Sequence, residues 1–161
     1  MEGEQRPHLQ IEALGGNAEG LPEQLRVVPW PDPLVEEFGF GPRHMYTECV
    51  WLPVLGPTAS WLYRRLGSWA AHNPDGLDVD LNQLSQSLGL GEGLGRNSKI
   101  AHAIGRLVRF EVARAGAGEL QVRTALPPLP LRVVKALDPV TQTLHDRYIE
   151  RPERDRSGLV T

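Results

Sequence analysis

Lys99, His102, Arg106 and Arg109 recur three or four residues apart along KIAHAIGRLVRF, opposite the apolar stripe Ile100, Ile104, Leu107 and Val108. A helix with this spacing buries one face and lines the other with nitrogen donors. Such a row suits a polyanion, because phosphate oxygens accept charge-assisted hydrogen bonds and guanidinium forks match guanine edges. Just upstream, Arg96, Asn97 and Ser98 add a cation, an amide and a hydroxyl, types that read base edges or cap a helix. Arg114 and Arg123 follow in an alternating segment, where they would reach phosphates or a minor groove beside that helix.

The charge distribution singles out the same region. The net charge is −3 over 161 residues, yet residues 96–135 hold eight basic and two acidic side chains while residues 1–43 hold three and eight. A basic block inside an acidic chain points to a local anion-facing surface. The bland reading of that block is a solvated face whose arginines pair with the chain's own acids, such as Asp78, Asp80 or Glu111.

Other chemistries find less support. Gly89, Gly91, Gly93 and Gly95 alternate and lead into Arg96-Asn97-Ser98. A phosphate-cradling loop needs four residues between its glycines and then Gly-Lys-Ser/Thr. The stretch therefore reads as a joint between two helices. The five histidines are dispersed without the helical pairing of a metal site. Asp75, Asp78 and Asp80 lack the glycine and closing glutamate of a calcium loop. The single cysteine, Cys49, lies in an apolar helical pattern and excludes an intramolecular disulfide. No enzyme, cofactor, metal or small-molecule ligand is expected. With no signal-like start and no apolar run of membrane-spanning length, the expected location is the cytoplasm.

The positioning elements follow from pattern. Residues 1–43 are acidic, rich in Pro and Gly and without sustained period, and read as a partly disordered tail. Order is expected over 44–125. Pro53 and Pro57 divide an apolar helical pattern into a short helix ending near Leu55 and a longer one from Pro57 to about His72. Leu77 and Val79 alternate with aspartates as a short strand; Asp80 caps a helix through Leu88, and Asn97 or Ser98 caps the basic one. A β-hairpin is expected around Ala115 to Gly118. Residues 126–150 read as a Pro-rich linker and a helix after Asp138-Pro139, and 151–161 as a disordered tail.

Helix, short strand, helix, helix, hairpin is the order of a winged helix-turn-helix. The block Val79 to Arg123 resembles that superfamily, with Leu84-Ser85-Gln86-Ser87-Leu88-Gly89-Leu90 similar to the helix that precedes many recognition helices. Trp51-Leu52-Pro53-Val54-Leu55-Gly56-Pro57-Thr58-Ala59-Ser60-Trp61-Leu62-Tyr63 resembles the opening of the amino-terminal winged-helix domain of DnaD/DnaB-type primosome proteins, which serves oligomerisation in that family. The chain as a whole is similar to small winged-helix proteins of actinobacterial type.

The expected fold is thus mainly α with a small β-hairpin wing, a winged helix-turn-helix plus a C-terminal helix. The expected function is double-stranded DNA binding by a transcriptional regulator, with a recognition helix at 97–110 and a wing at 111–124. A homodimer is expected through Val140, Leu144 and Tyr148 and the tryptophan-rich first helices. The alternative is a non-catalytic protein-interaction or oligomerisation module, such as a replication-associated adaptor, that does not bind DNA.

Overall fold

The computed structural model describes residues 7–150; the tail expected at 151–161 lies outside the described residues. After a 3-10 turn at Ile11–Leu14 come β1 (Gln24–Trp30), α1 (Pro33–Phe38), α2 (Met45–Cys49), α3 (Leu52–Leu55), α4 (Pro57–His72) and β2 (Leu77–Asp80). Then follow α5 (Leu81–Ser87), α6 (Lys99–Arg109), β3 (Ala113–Gly116), β4 (Glu119–Arg123), α7 (Leu131–Val134) and α8 (Pro139–Glu150).

Local chemistry explains most boundaries. Gly56, at φ +81°, ends α3 in a conformation that disfavours residues with a Cβ, and Pro57 opens α4 where no intrahelical N–H is needed. The Asp80 carboxylate accepts from Gln83 N at 3.0 Å and starts α5. The Ser98 hydroxyl accepts from Ala101 N at 3.3 Å and starts α6. Ala117 and Gly118, both at positive φ, form the two-residue turn between β3 and β4.

The fold class differs from the expectation. The described residues form a four-stranded mixed sheet in the order β2-β1-β4-β3 among eight α-helices, so the protein is α/β and not mainly α with a two-stranded wing. The order α4, β2, α5, α6, β3, β4 is the expected one. What differs is β1, seated between β2 and β4, antiparallel to the first (Leu25 opposite Val79) and parallel to the second (Val27 opposite Leu120). Residues assigned to a disordered tail therefore supply a central strand.

Two neighbours account for that strand. Leu25 and Val27 are fully buried and both edges of β1 find ladder partners, which offsets the entropy of ordering the segment. Pro29 is tolerated because it lies beyond Val27, the last residue of β1 paired with β2; a missing donor there breaks no bond to that strand. Ile11, Leu14 and Leu21 join the same core, and Phe40 exchanges backbone hydrogen bonds with Leu126. Residues 7–43 are thus tied in at several points.

The core lies between the sheet and the pair α4 and α6. Leu62 and Leu66 of α4 and Ile100, Ile104 and Leu107 of α6 are all fully buried. The proline-rich run is extended as expected up to α7, a short helix that the sequence pattern does not predict. It is anchored by buried Leu126 and Leu129 and by Trp51 Nε1 donating to Pro127 O at 3.0 Å. α8 packs on α2, where Tyr148 meets the rings of Phe40, His44 and Tyr46.

Candidate functional site

The basic face of α6 is organised largely by the chain itself. Arg96 donates to Ala18 O and Asn17 O, each at 2.9 Å, and pairs with the Glu12 carboxylate. Its own backbone N–H and then Arg96 hold the Glu12 carboxyl below the usual range. Ser98 spends its hydroxyl twice, accepting from Ala101 N and donating to Gly95 O at 2.7 Å. It caps α6. Arg106 donates Nε to Leu55 O at 2.7 Å and Nη2 to Val54 O at 2.8 Å, satisfying carbonyls at the end of α3.

The two arginines of the hairpin are similarly occupied. Arg114 donates to the Gln121 side chain and lies 4.2 Å above the Trp30 ring. Arg123 lies 3.9 Å from the same ring, donates Nε to Glu111 O at 2.7 Å and stands 3.6 Å from Asp32. Its side chain is only 16% exposed. The partners that hold Arg96, Arg114 and Arg123 include Glu12, Trp30 and Asp32, all from the segment expected to be a tail. Sequence periodicity cannot reveal such partners, because they come from over 80 residues away in the chain.

Asn97, Lys99, His102 and Arg109 are exposed, as are Arg96, Arg106 and Arg114 despite their partners, and Arg109 lies against Phe110. The structure does not leave their face open as a broad surface. Residues His8, Leu9 and Ile11 lie along α6, and a Cβ built on Gly105 would stand 3.9 Å from Leu9 Cβ. The glycine joint behaves as expected, with Gly89, Gly91 and Gly93 at positive φ. It is also braced, by Leu21 N donating to Leu94 O at 2.8 Å and Ser85 Oγ donating to Gly91 O at 2.7 Å.

A second surface stands on the outer face of α4. Trp61 is 57% exposed and Trp69, two turns later, 36% exposed. Arg65 lies between them in sequence and donates to Ser87 Oγ at 2.7 Å. Trp69 borders a groove of about 480 Å³ formed with Leu77 and Val79 of β2 and Leu84 of α5, and Asp78 and Asp80 also line it. β2 is an end strand of the sheet. The spacing of the tryptophans is readable in the sequence, but which face of α4 they take depends on where the core lies.

The expected dimer contacts of α8 divide differently. Leu144 and Tyr148 pack against the core, while Val140 is exposed. Among the described residues no group of three or more His, Cys, Asp or Glu side chains could hold a metal ion. Burial, with Glu48 nearby, pushes the Cys49 thiol up, away from a reactive thiolate. No described helix is long and apolar enough to cross a membrane. In comparisons with known proteins, no family model, curated protein or solved structure matches the chain.

Proposed function

We propose that this protein is a non-catalytic protein-interaction module of the cytoplasm that self-associates through the outer face of α4. The observation that supports it is the exposed pair Trp61 and Trp69 on a single helix, the second of them bordering an apolar groove. Tryptophan is among the residues most enriched at the energetic centres of interfaces, and a contiguous exposed apolar patch marks a contact surface. The patch carries both signs of charge, with Arg65 on α4 and Asp78 and Asp80 on β2. A second copy related by a two-fold axis can set its arginine against these aspartates, as a self-complementary dimer contact requires.

Analytical ultracentrifugation tests this reading. The wild-type chain is expected to form a concentration-dependent dimer, and Trp61→Ser with Trp69→Ser to remain monomeric with an unchanged circular dichroism spectrum. A wild-type chain that stays monomeric up to roughly 100 μM removes the self-association.

Double-stranded DNA binding by a regulator is the second reading, favoured by one observation: Asn97, Lys99, His102 and Arg109 are exposed along one stretch of α6. Fluorescence anisotropy with labelled duplex at low and then rising salt measures it. Binding that falls steeply with salt and is lost in Lys99→Ala with Arg109→Ala supports that surface. Absence of binding at low salt eliminates it. Arg106 is a poor choice for this test because its loss would also free the carbonyls of α3.

A further inference from the structure

Between α6 and the segment at residues 8–11 lies a hollow of about 510 Å³ with three guanidinium and two imidazole groups on its wall, those of Arg96, Arg106, Arg109, His8 and His102. We propose that it is a binding site for a small phosphate-bearing molecule. Among the described residues, no carboxylate lines it. Of the wall cations, Arg96 is paired with the Glu12 carboxylate. Ala101 and Gly105 supply the small side chains that keep the space between these donors open.

Three features fit phosphate chemistry. Arg106 is held in place by Leu55 O and Val54 O, which occupy two of its five N–H groups, so the side chain is already ordered before a ligand arrives. Arg109 lines both this hollow and a neighbouring cleft of about 890 Å³ walled by Trp51, Phe110 and Pro127. Phosphate and an organic group could therefore be held side by side, and both volumes lie in the range of small-molecule sites. Finally, Arg106 and Arg109 share a wall to which no described residue contributes an opposing charge, and an anion offsets the like charges gathered there.

The geometry favours a small ligand over a duplex. A nucleic-acid backbone laid along α6 would have to displace Leu9, which packs against the core. A phosphate entering between His8 and His102 needs no such displacement. His8, in the segment expected to be a tail, becomes a ligand-facing residue.

The test is calorimetric titration of the full-length chain at low ionic strength with inorganic pyrophosphate, then with a nucleoside diphosphate and with a short DNA duplex. Saturable binding of pyrophosphate is expected, with a rise in unfolding temperature. Arg109→Ala should weaken it about tenfold, and His8→Ala or His102→Ala about threefold. Arg109→Lys retains the charge and should keep most of the affinity, which separates loss of the site from loss of the fold. Tighter binding of the nucleoside diphosphate supports use of the neighbouring cleft, whereas equal affinities support recognition of phosphate alone. Failure of both small anions to saturate at millimolar concentration overturns the proposal. So does binding indifferent to Arg109→Ala and His8→Ala, or a duplex that binds more tightly than either anion and is unaffected by His8→Ala.

Discussion

Tyr46 shows how much one buried polar group can carry. Its hydroxyl accepts from Leu129 N at 2.8 Å and lies 2.7 Å from His145 Nδ1. The amide can only donate, so the hydroxyl proton finds its partner when it is given to Nδ1, which places the imidazole proton of a neutral His145 on Nε2. Tyr46→Phe leaves both the Leu129 N–H and His145 Nδ1 without this partner. It should cost about 1–3 kcal/mol in urea unfolding at neutral pH. Burial pushes the Tyr46 hydroxyl from 10.0 up to about 12, partly offset by the Leu129 N–H, and burial also raises Tyr63, which donates to Arg123 O at 3.0 Å. In both, the folded state keeps its proton where the unfolded chain loses it. Their contribution is fully present below pH 10 and declines as pH rises toward 12. Urea midpoints across that range should fall for the wild type and fall less for Tyr46→Phe and Tyr63→Phe; parallel declines in all three would remove this linkage. Ser98 is legible at this scale as a cap because capping is local. The partners of Tyr46, 83 and 99 residues away, are not.

Within single elements, two mid-helix glycines that look alike in sequence should respond oppositely to the same change. A Cβ on Gly67 of α4 would meet Pro42 Cγ at 2.8 Å and the Tyr63 ring at 3.0 Å, so close packing holds that position to glycine. Gly67→Ala gains about 1 kcal/mol of helix propensity. Overpacking, typically about 1–3 kcal/mol, should exceed that gain and lower the unfolding temperature. On Gly105 of α6 the nearest atom is Leu9 Cβ at 3.9 Å, an ordinary contact. Gly105→Ala should therefore stabilise by up to about 1 kcal/mol. Thermal unfolding of both variants checks the pair, and a stabilised Gly67→Ala would refute the tight contact with Pro42. The spans of α4, α5 and α6 are legible because caps, prolines and apolar period all lie within each segment. The cost of a Cβ depends on neighbouring elements and is not.

For the whole molecule, β1 is the decisive element. Leu25→Ala should cost about 2–5 kcal/mol, as expected for a large-to-small change in a packed core. Amides at residues 25–28 should exchange with solvent as slowly as those in the middle of α6, since both depend on global opening. Exchange at the rate of an exposed loop would place β1 outside the cooperative core. By itself the sequence determined the local structure: where prolines divide α3 from α4, where Asp80 and one of Asn97 and Ser98 start helices, that the chain turns within Ala115 to Gly118, and the order of segments from α4 to β4. Each rests on interactions between residues close in the chain. The tertiary structure alone decided that residues 24–30 form a central strand, because that strand's stability comes from ladders to residues 77–80 and 119–123. It also decided which cations remain available. Arg96, Arg106, Arg114 and Arg123 share a basic block with Lys99, His102 and Arg109, but partners from distant segments, among them Asn17, Ala18, Val54 and Leu55, hold the first two by hydrogen bonds while leaving them exposed, and Arg123 is the half-buried one of the four. Charge and periodicity specify a face, but its exposure depends on what folds across it.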